Sequence, residues 1–359
     1  MVTNDSKVTR RRILKATAGV GIAGLAGCTG DSGPGESQET VKAAWVYLSE
    51  TGDLGWTHAH DQGRQAVEED LDFAETSYTE SVPPGDAPST FEQYAEDGYD
   101  ILFGTTFGYN DAMMNLSQEY GDAAWEHCNG IETGDNMGIY YGKMYQARYL
   151  AGVAAGMVTD SNTIGFIGTN PISHTIREIN GFAAGVKHVN PEAELIVRWI
   201  NTFFDPTKSK QATEALIDEG ADVTAQLTDS PQTVETAASN GVWSVGSNSP
   251  MKEYGGDTYL TSGIWNWGVF YKDAVRAVAD GDWSPDFDWP GLADGVVELD
   301  EWGPNVPEEV KSEVESRKQQ LIDGDLSVWQ DTKFEDAGRQ TLYFDMGTYI
   351  DNIQGSVPG

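Results

Sequence analysis

The chain has 359 residues, with 22 Lys+Arg against 57 Asp+Glu and a formal net charge of −35. No basic stripe exists to neutralise phosphates, which disfavours nucleic acid as a partner. The acids are dispersed (Glu68, Glu69 and Asp70; Glu92, Glu96 and Asp97; Glu308 and Glu309) and not gathered in one tail, an acidic surface suited to a high-salt medium in which the Debye length shrinks to a few ångströms.

The N-terminus reads as an address. Thr9-Arg10-Arg11-Arg12-Ile13-Leu14-Lys15 has the form of a twin-arginine export signal, followed by a weakly apolar run that ends at Leu25-Ala26-Gly27-Cys28. That ending has the form of a lipobox, with cleavage before Cys28, which would carry the lipid. The apolar run is too short to span a bilayer, so residues 1–27 read as a processed signal. Export by this route implies a domain that folds before it crosses the membrane. Residues 31–40, DSGPGESQET, complete a flexible tether over 28–40. Removing residues 1–27 takes away five basic residues and one acid, so the mature charge is 17 − 56 = −39. Cys128 is then unpaired and reads as a small buried side chain.

The folded chain opens on Val41 to Leu48, an apolar, β-prone first strand, then turn chemistry to Gly55 and a helix over Trp56 to Glu69. Strand Phe73 to Tyr78, helix Thr90 to Gly98, strand Tyr99 to Phe103, helix Asp111 to Tyr120 and strand Ala123 to His127 follow. Met137 to Met157 reads as a long helix and Thr163 to Ile167 as a strand. Then come helix Thr175 to His188, strand Glu194 to Trp199, helix Thr207 to Glu219 and strand Asp222 to Leu227. Helix Gln232 to Asn240, strands Val242 to Val245 and Thr258 to Ser262, and helices Val269 to Gly281 and Val306 to Ile322 complete the pattern. Such βα alternation in two units of similar size predicts an α/β protein with two doubly wound parallel-sheet lobes.

In open parallel sheets, ligands bind outside the carboxyl ends of the strands. The loops there carry Asp53 and Trp56, Thr106 and Phe107, Phe203 and Asp205, Asp229, Asn248, and Trp265 to Trp267. Aromatic faces alternate with short polar groups: the rings can stack a flat heterocycle, and carboxylates and amides can read its edge. Trp56 could equally cap the core, and for Phe204 and Trp267 packing between lobes is the better reading. Enzyme motifs are absent: there is no G-x-S-x-G, H-E-x-x-H or P-loop, and no cofactor is expected. His58 and His60 point to different faces of a helix, which argues against zinc, and Asp61 reads as a helix-surface acid.

These residues resemble the basic membrane protein (BMP) family of substrate-binding lipoproteins that serve ABC-type nucleoside and purine importers, in an acidic, haloarchaeal-like form. The matching stretches include GDLGWTHAHDQGR, YDILFGTTFGYNDAM, NMGIYYGKMYQARYLAGVAAG, GFIGTNPISHTIREINGFAAGVK, WINTFFDP and TSGIWNWGVFYKDAV. The resemblance implies a type I periplasmic-binding-protein fold, with two lobes joined by three crossings, expected near Thr133–Asn136, Gly246–Pro250 and Ser262–Trp265. Lobe 1 is then 41–134 plus 249–264, lobe 2 is 135–248 plus 265–335, and 336–359 is a tail. It also implies that Trp56 and Phe203 sandwich a purine and that Asp53 matches the family's first-loop acid.

Two departures sharpen the expectation. Where nucleoside-binding relatives carry a lysine after the TS of the last strand, this chain has Ile264-Trp265-Asn266. The loop after Gly246, usually acidic, is Ser247-Asn248-Ser249-Pro250. Both remove groups suited to a ribose, which points to a free, adenine-like purine base. The resemblance implies a monomer, anchored outside the cell membrane by lipid and delivering its ligand to a permease and ATPase. Alternatives are a nucleoside ligand, a ligand-sensing receptor domain or an anchored nucleoside hydrolase.

Overall fold

A computed structural model describes residues 39–52 and 54–358. The expected export signal, Cys28 with its expected lipid, the expected tether up to residue 38 and Asp53 lie outside these residues. Two six-stranded sheets form the frame. The first has the order β11-β5-β4-β3-β1-β2, from β1 (Val41–Val46), β2 (Ala74–Thr79), β3 (Ile101–Gly104), β4 (Ala124–Cys128), β5 (Met137–Tyr140) and β11 (Phe287–Asp288), paired in parallel throughout. The second has the order β12-β10-β9-β8-β6-β7. Its strands are β6 (Thr163–Gly168), β7 (Glu194–Trp199), β8 (Val223–Gln226), β9 (Trp243–Asn248), β10 (Tyr259–Trp265) and β12 (Val297–Leu299). Only its β10–β12 pair is antiparallel.

The helices follow from the same pattern. α1 (Trp56–Asp70), α2 (Ala87–Glu96), α3 (Asn110–Glu119) and α8 (Trp267–Asp280) cover the first sheet. α4 (Met144–Val158), α5 (Ser173–Val189), α6 (Pro206–Asp218), α7 (Gln232–Ser239) and α9 (Glu308–Asp323) belong to the second lobe. The apolar, fully buried β3 and β5, and β1 buried at every position but Lys42, are what a sheet covered on both faces requires. Among the described residues, no helix is long and apolar enough to cross a membrane.

The lobe boundaries differ from those expected. Met137–Tyr140 is not the start of a long helix but strand β5, paired with β4 in the first sheet. MGIYY is apolar, with Ile139, Tyr140 and Tyr141 where a parallel strand needs them, and only Gly142 and Lys143 separate it from the largely buried α4. Periodicity cannot separate two buried elements so joined. Strand β10, expected in lobe 1, pairs with β9 in the second sheet, whereas α8, expected in lobe 2, packs on α1 and β1. The crossings therefore fall at residues 141–143, at Asn266 and at 289–296. The chain beyond α9 is also more than a tail: Leu195 of β7 bridges to Ile353, and Arg177 of α5 donates to the Leu342 and Tyr343 carbonyl oxygens at 2.8 and 3.0 Å.

Candidate functional site: the cleft between the lobes

The strand-end loops of the two sheets face each other across a cleft of about 820 Å³. Of the residues singled out from sequence, Trp56, Thr106, Phe107, Phe203, Asp229, Asn248 and Trp265 line it. Asp205 does not. It caps α6, its Oδ1 accepting from the Lys208 N–H at 2.9 Å, as an N-terminal Asp ahead of Pro206 is suited to do. Asn266 does not either; it is exposed at the second crossing, immediately before α8, and its N–H donates to the Val296 carbonyl. Trp267 is fully buried, stacked on Trp265 with ring centroids 4.7 Å apart, in keeping with a packing role. Phe204, by contrast, stands 55% exposed on the cleft wall.

The rings form a continuous arc. Trp56 lies 6.0 Å from Tyr141, Tyr141 lies 5.9 Å from His174, and His174 stacks on Phe203 at 6.3 Å. Trp265 meets Trp56 and Tyr141 edge-on at 5.5 and 5.4 Å. Trp56 is held from behind, its Nε1 donating to the Thr105 carbonyl at 2.7 Å. Tyr141 and His174 were not singled out from sequence. Tyr141 sits in what read as a helix, and His174 ends what read as the loop between strand Thr163 to Ile167 and helix Thr175 to His188, where the imidazole is the one stacking ring.

The polar groups are largely engaged with one another. Asp229 Oδ1 accepts from the Trp56 N–H at 3.0 Å and from Asn248 Nδ2 at 2.7 Å, and Asn248 Oδ1 accepts from Trp265 Nε1 at 3.0 Å. The first of these bonds joins the lobes and sets a carboxylate at the N-terminus of α1, where the helix dipole favours it. Asn248 adopts φ 66°, a left-handed conformation that asparagine tolerates. Deeper in, Glu178 Oε2 accepts from Arg148 Nε at 3.1 Å and Oε1 accepts from the Tyr141 hydroxyl at 3.3 Å. Arg148 also donates to the Gly246 carbonyl and to Ser247 Oγ. Burial raises the Glu178 carboxyl, an effect that Arg148 opposes. His174 is held down to about 3 by burial and by neighbouring Arg177, so it is neutral, and its Nδ1 lies 3.3 Å from Asn129 Nδ2 across the cleft.

Two absences are informative among the described residues. No Lys or Arg lines the cleft, so it offers no side-chain cation to a phosphate or carboxylate. No group of three or more His, Cys, Asp or Glu is placed to hold a metal. Asp61, expected on a helix surface, is buried, accepting from Arg64 Nε at 2.7 Å and from Gln65.

The chain that builds this two-lobed frame has relatives. Residues 40–330 match the Bmp family, described as ABC transporter substrate-binding protein, PnrA-like. The chain belongs to this family. It is similar to a putative ABC transporter glucose-binding protein of Haloferax volcanii, 44% identical over the whole of both chains. It is also similar to a purine-binding protein of Brucella abortus, 35% identical over 82% of this chain and 85% of that one. A solved solute-binding protein from Conexibacter woesei shares the fold at TM-score 0.69 and 20% identity, covering 80% of this chain and 98% of its own. The Bmp-family chain is thus an ABC transporter substrate-binding protein, and not an enzyme. Such a protein carries a small molecule to a permease and its ATPase.

Proposed function

We propose that this Bmp-family protein captures a free purine base, adenine-like, between its closing lobes. The observation that carries the reading is the arc Trp56–Tyr141–His174–Phe203 in a cleft without a lining cation. A neutral planar ring gains most from such a wall. It needs only a few edge contacts, and most of the polar groups present are already committed to each other. Trp265, wedged edge-on against Trp56, takes up space beside the ring that a ribose would require. The purine-binding Brucella relative agrees with this choice.

The name of the Haloferax relative favours a second reading, a hexose. A pyranose also lies on aromatic rings, but it carries a hydroxyl on nearly every carbon, and each must find a partner when desolvated. The engagement of Asp229, Asn248 and Glu178 with protein partners counts against it, although the buried Thr169 Oγ1 on the cleft wall has no protein partner. On either reading the N-terminal motifs support export by the twin-arginine route and a lipid on Cys28, which would hold the protein at the outer face of the cell membrane. Calorimetric titration in molar salt with adenine, guanine, adenosine, guanosine and glucose tests the ligand. Tight adenine binding without adenosine binding is the expected result. Nucleoside binding of equal strength would remove the role given to Trp265, and glucose binding alone would replace the purine reading with the hexose one.

A further inference from the structure

A second cavity, of about 640 Å³, shares no lining residue with the cleft. Its walls are α8, the segment around β11 and the third crossing, and Glu126 of β4 reaches it from the first sheet. Glu126 is 2% exposed; its Oε1 accepts from Trp283 Nε1 at 2.8 Å, and its Oε2 has no partner. A buried carboxylate with one oxygen unpartnered is costly when ionised, and here burial pushes the group up to about 8, with Asp288 and Asp286 adding repulsion, so at neutral pH it holds a proton that an incoming cation would displace.

The rest of the lining says what would relieve that cost. Asp273, Asp282, Asp286, Asp288 and Asp294 surround the cavity, against the single cation Lys143. Phe270, Trp283 and Trp289 supply aromatic side chains. A bare metal ion needs several converging oxygen ligands, and no such group exists among the described residues. A cation with an apolar body would instead use the carboxylate and the rings together. We propose that this cavity is a second binding site, for a small organic cation of the ammonium type, with Glu126 as its anionic partner. The site is independent of whatever fills the cleft.

The test is calorimetric titration of the intact protein, at constant sodium chloride, with choline, butylammonium and the neutral choline isostere 3,3-dimethyl-1-butanol. At least one of the two cations should bind saturably at one site, and the isostere at least tenfold more weakly than choline. Glu126→Gln keeps the side-chain shape and an acceptor for Trp283, and should weaken the cation at least tenfold without altering ligand binding in the cleft. If that variant does not fold, Asp288→Asn on the half-buried wall should still weaken the cation several-fold. No saturable heat from either cation, equal binding of choline and its isostere, or affinity unchanged in the variants would overturn the proposal.

Discussion

Trp56 does two things with one residue. Its ring opens the aromatic arc, and its N–H donates to Asp229 of the other lobe at 3.0 Å. Trp56→Ala should remove the stacking face and cost about 1–3 kcal/mol of ligand affinity, whereas Trp56→Phe should recover much of it. Titration of both variants checks this, and an unchanged affinity in Trp56→Ala would contradict the site. Buried histidines set the response to acid. His127 is fully buried, its Nε2 lies 2.8 Å from the Thr106 carbonyl, and burial lowers it to about 4. The unfolded chain takes up this proton near the ordinary histidine value and the folded chain only near 4. Stability present above about pH 6.5 is therefore lost as pH falls through that window, by up to about 1.4 kcal/mol per pH unit. His174, lowered to about 3 by burial and Arg177, acts in the same direction. Urea unfolding at pH 7 and pH 5 should show the loss, and His127→Gln, which keeps an amide donor for the Thr106 carbonyl, should show less of it. An equal slope in that variant would contradict the assignment.

At the scale of elements, α4 and α5 pack so closely that glycine is required on both. A Cβ at Gly152 would collide with the Phe182 carbonyl oxygen, and one at Gly185 with that of Tyr149. Alanine normally stabilises a helix over glycine by up to about 1 kcal/mol. Here Gly152→Ala should destabilise instead, by about 1–3 kcal/mol as overpacking does, and thermal unfolding reads the sign. Strands ending in polar loops were legible from sequence because each apolar run is short and each loop carries Gly, Asn, Asp or Thr. β5 and α4 were not, because between Met137 and Val158 the strongly polar side chains are Lys143, Gln146 and Arg148 alone, and Gly142 at the junction is one glycine among four. The same ambiguity hid Tyr141, which stands between them on the cleft wall. Asp205 misled for a local reason: an Asp before Pro is as good a helix cap as a ligand contact, and the cap bond to Lys208 is the one it makes.

Over the whole molecule, lobe membership depends on which strand pairs with which, and pairing is not written in any one segment. β10 and α8 are neighbours in sequence on opposite sides of the second crossing, so their lobes could be assigned only from the pairing of β10 with β9 and the packing of α8 on α1. Closure can be tested at Gly55, where a Cβ would collide with Asp229 of the other lobe. Gly55→Ala should keep its melting temperature within a few degrees yet lose ligand affinity by more than tenfold, with a larger radius of gyration in X-ray scattering. Wild-type affinity in that variant would contradict the closed contact. The net charge of −35 should make stability rise with salt, and a melting temperature that climbs between about 0.1 and 1 M potassium chloride, as the Debye length falls to about 3 Å, would show it.

The most direct test of the central claim is a crystal structure grown with adenine and glucose together at equal concentration. The account predicts a flat bicyclic ring in the cleft, stacked between Trp56 and Phe203 with Trp265 closing one edge. A pyranose in that place, or an adenine bound elsewhere, would contradict it.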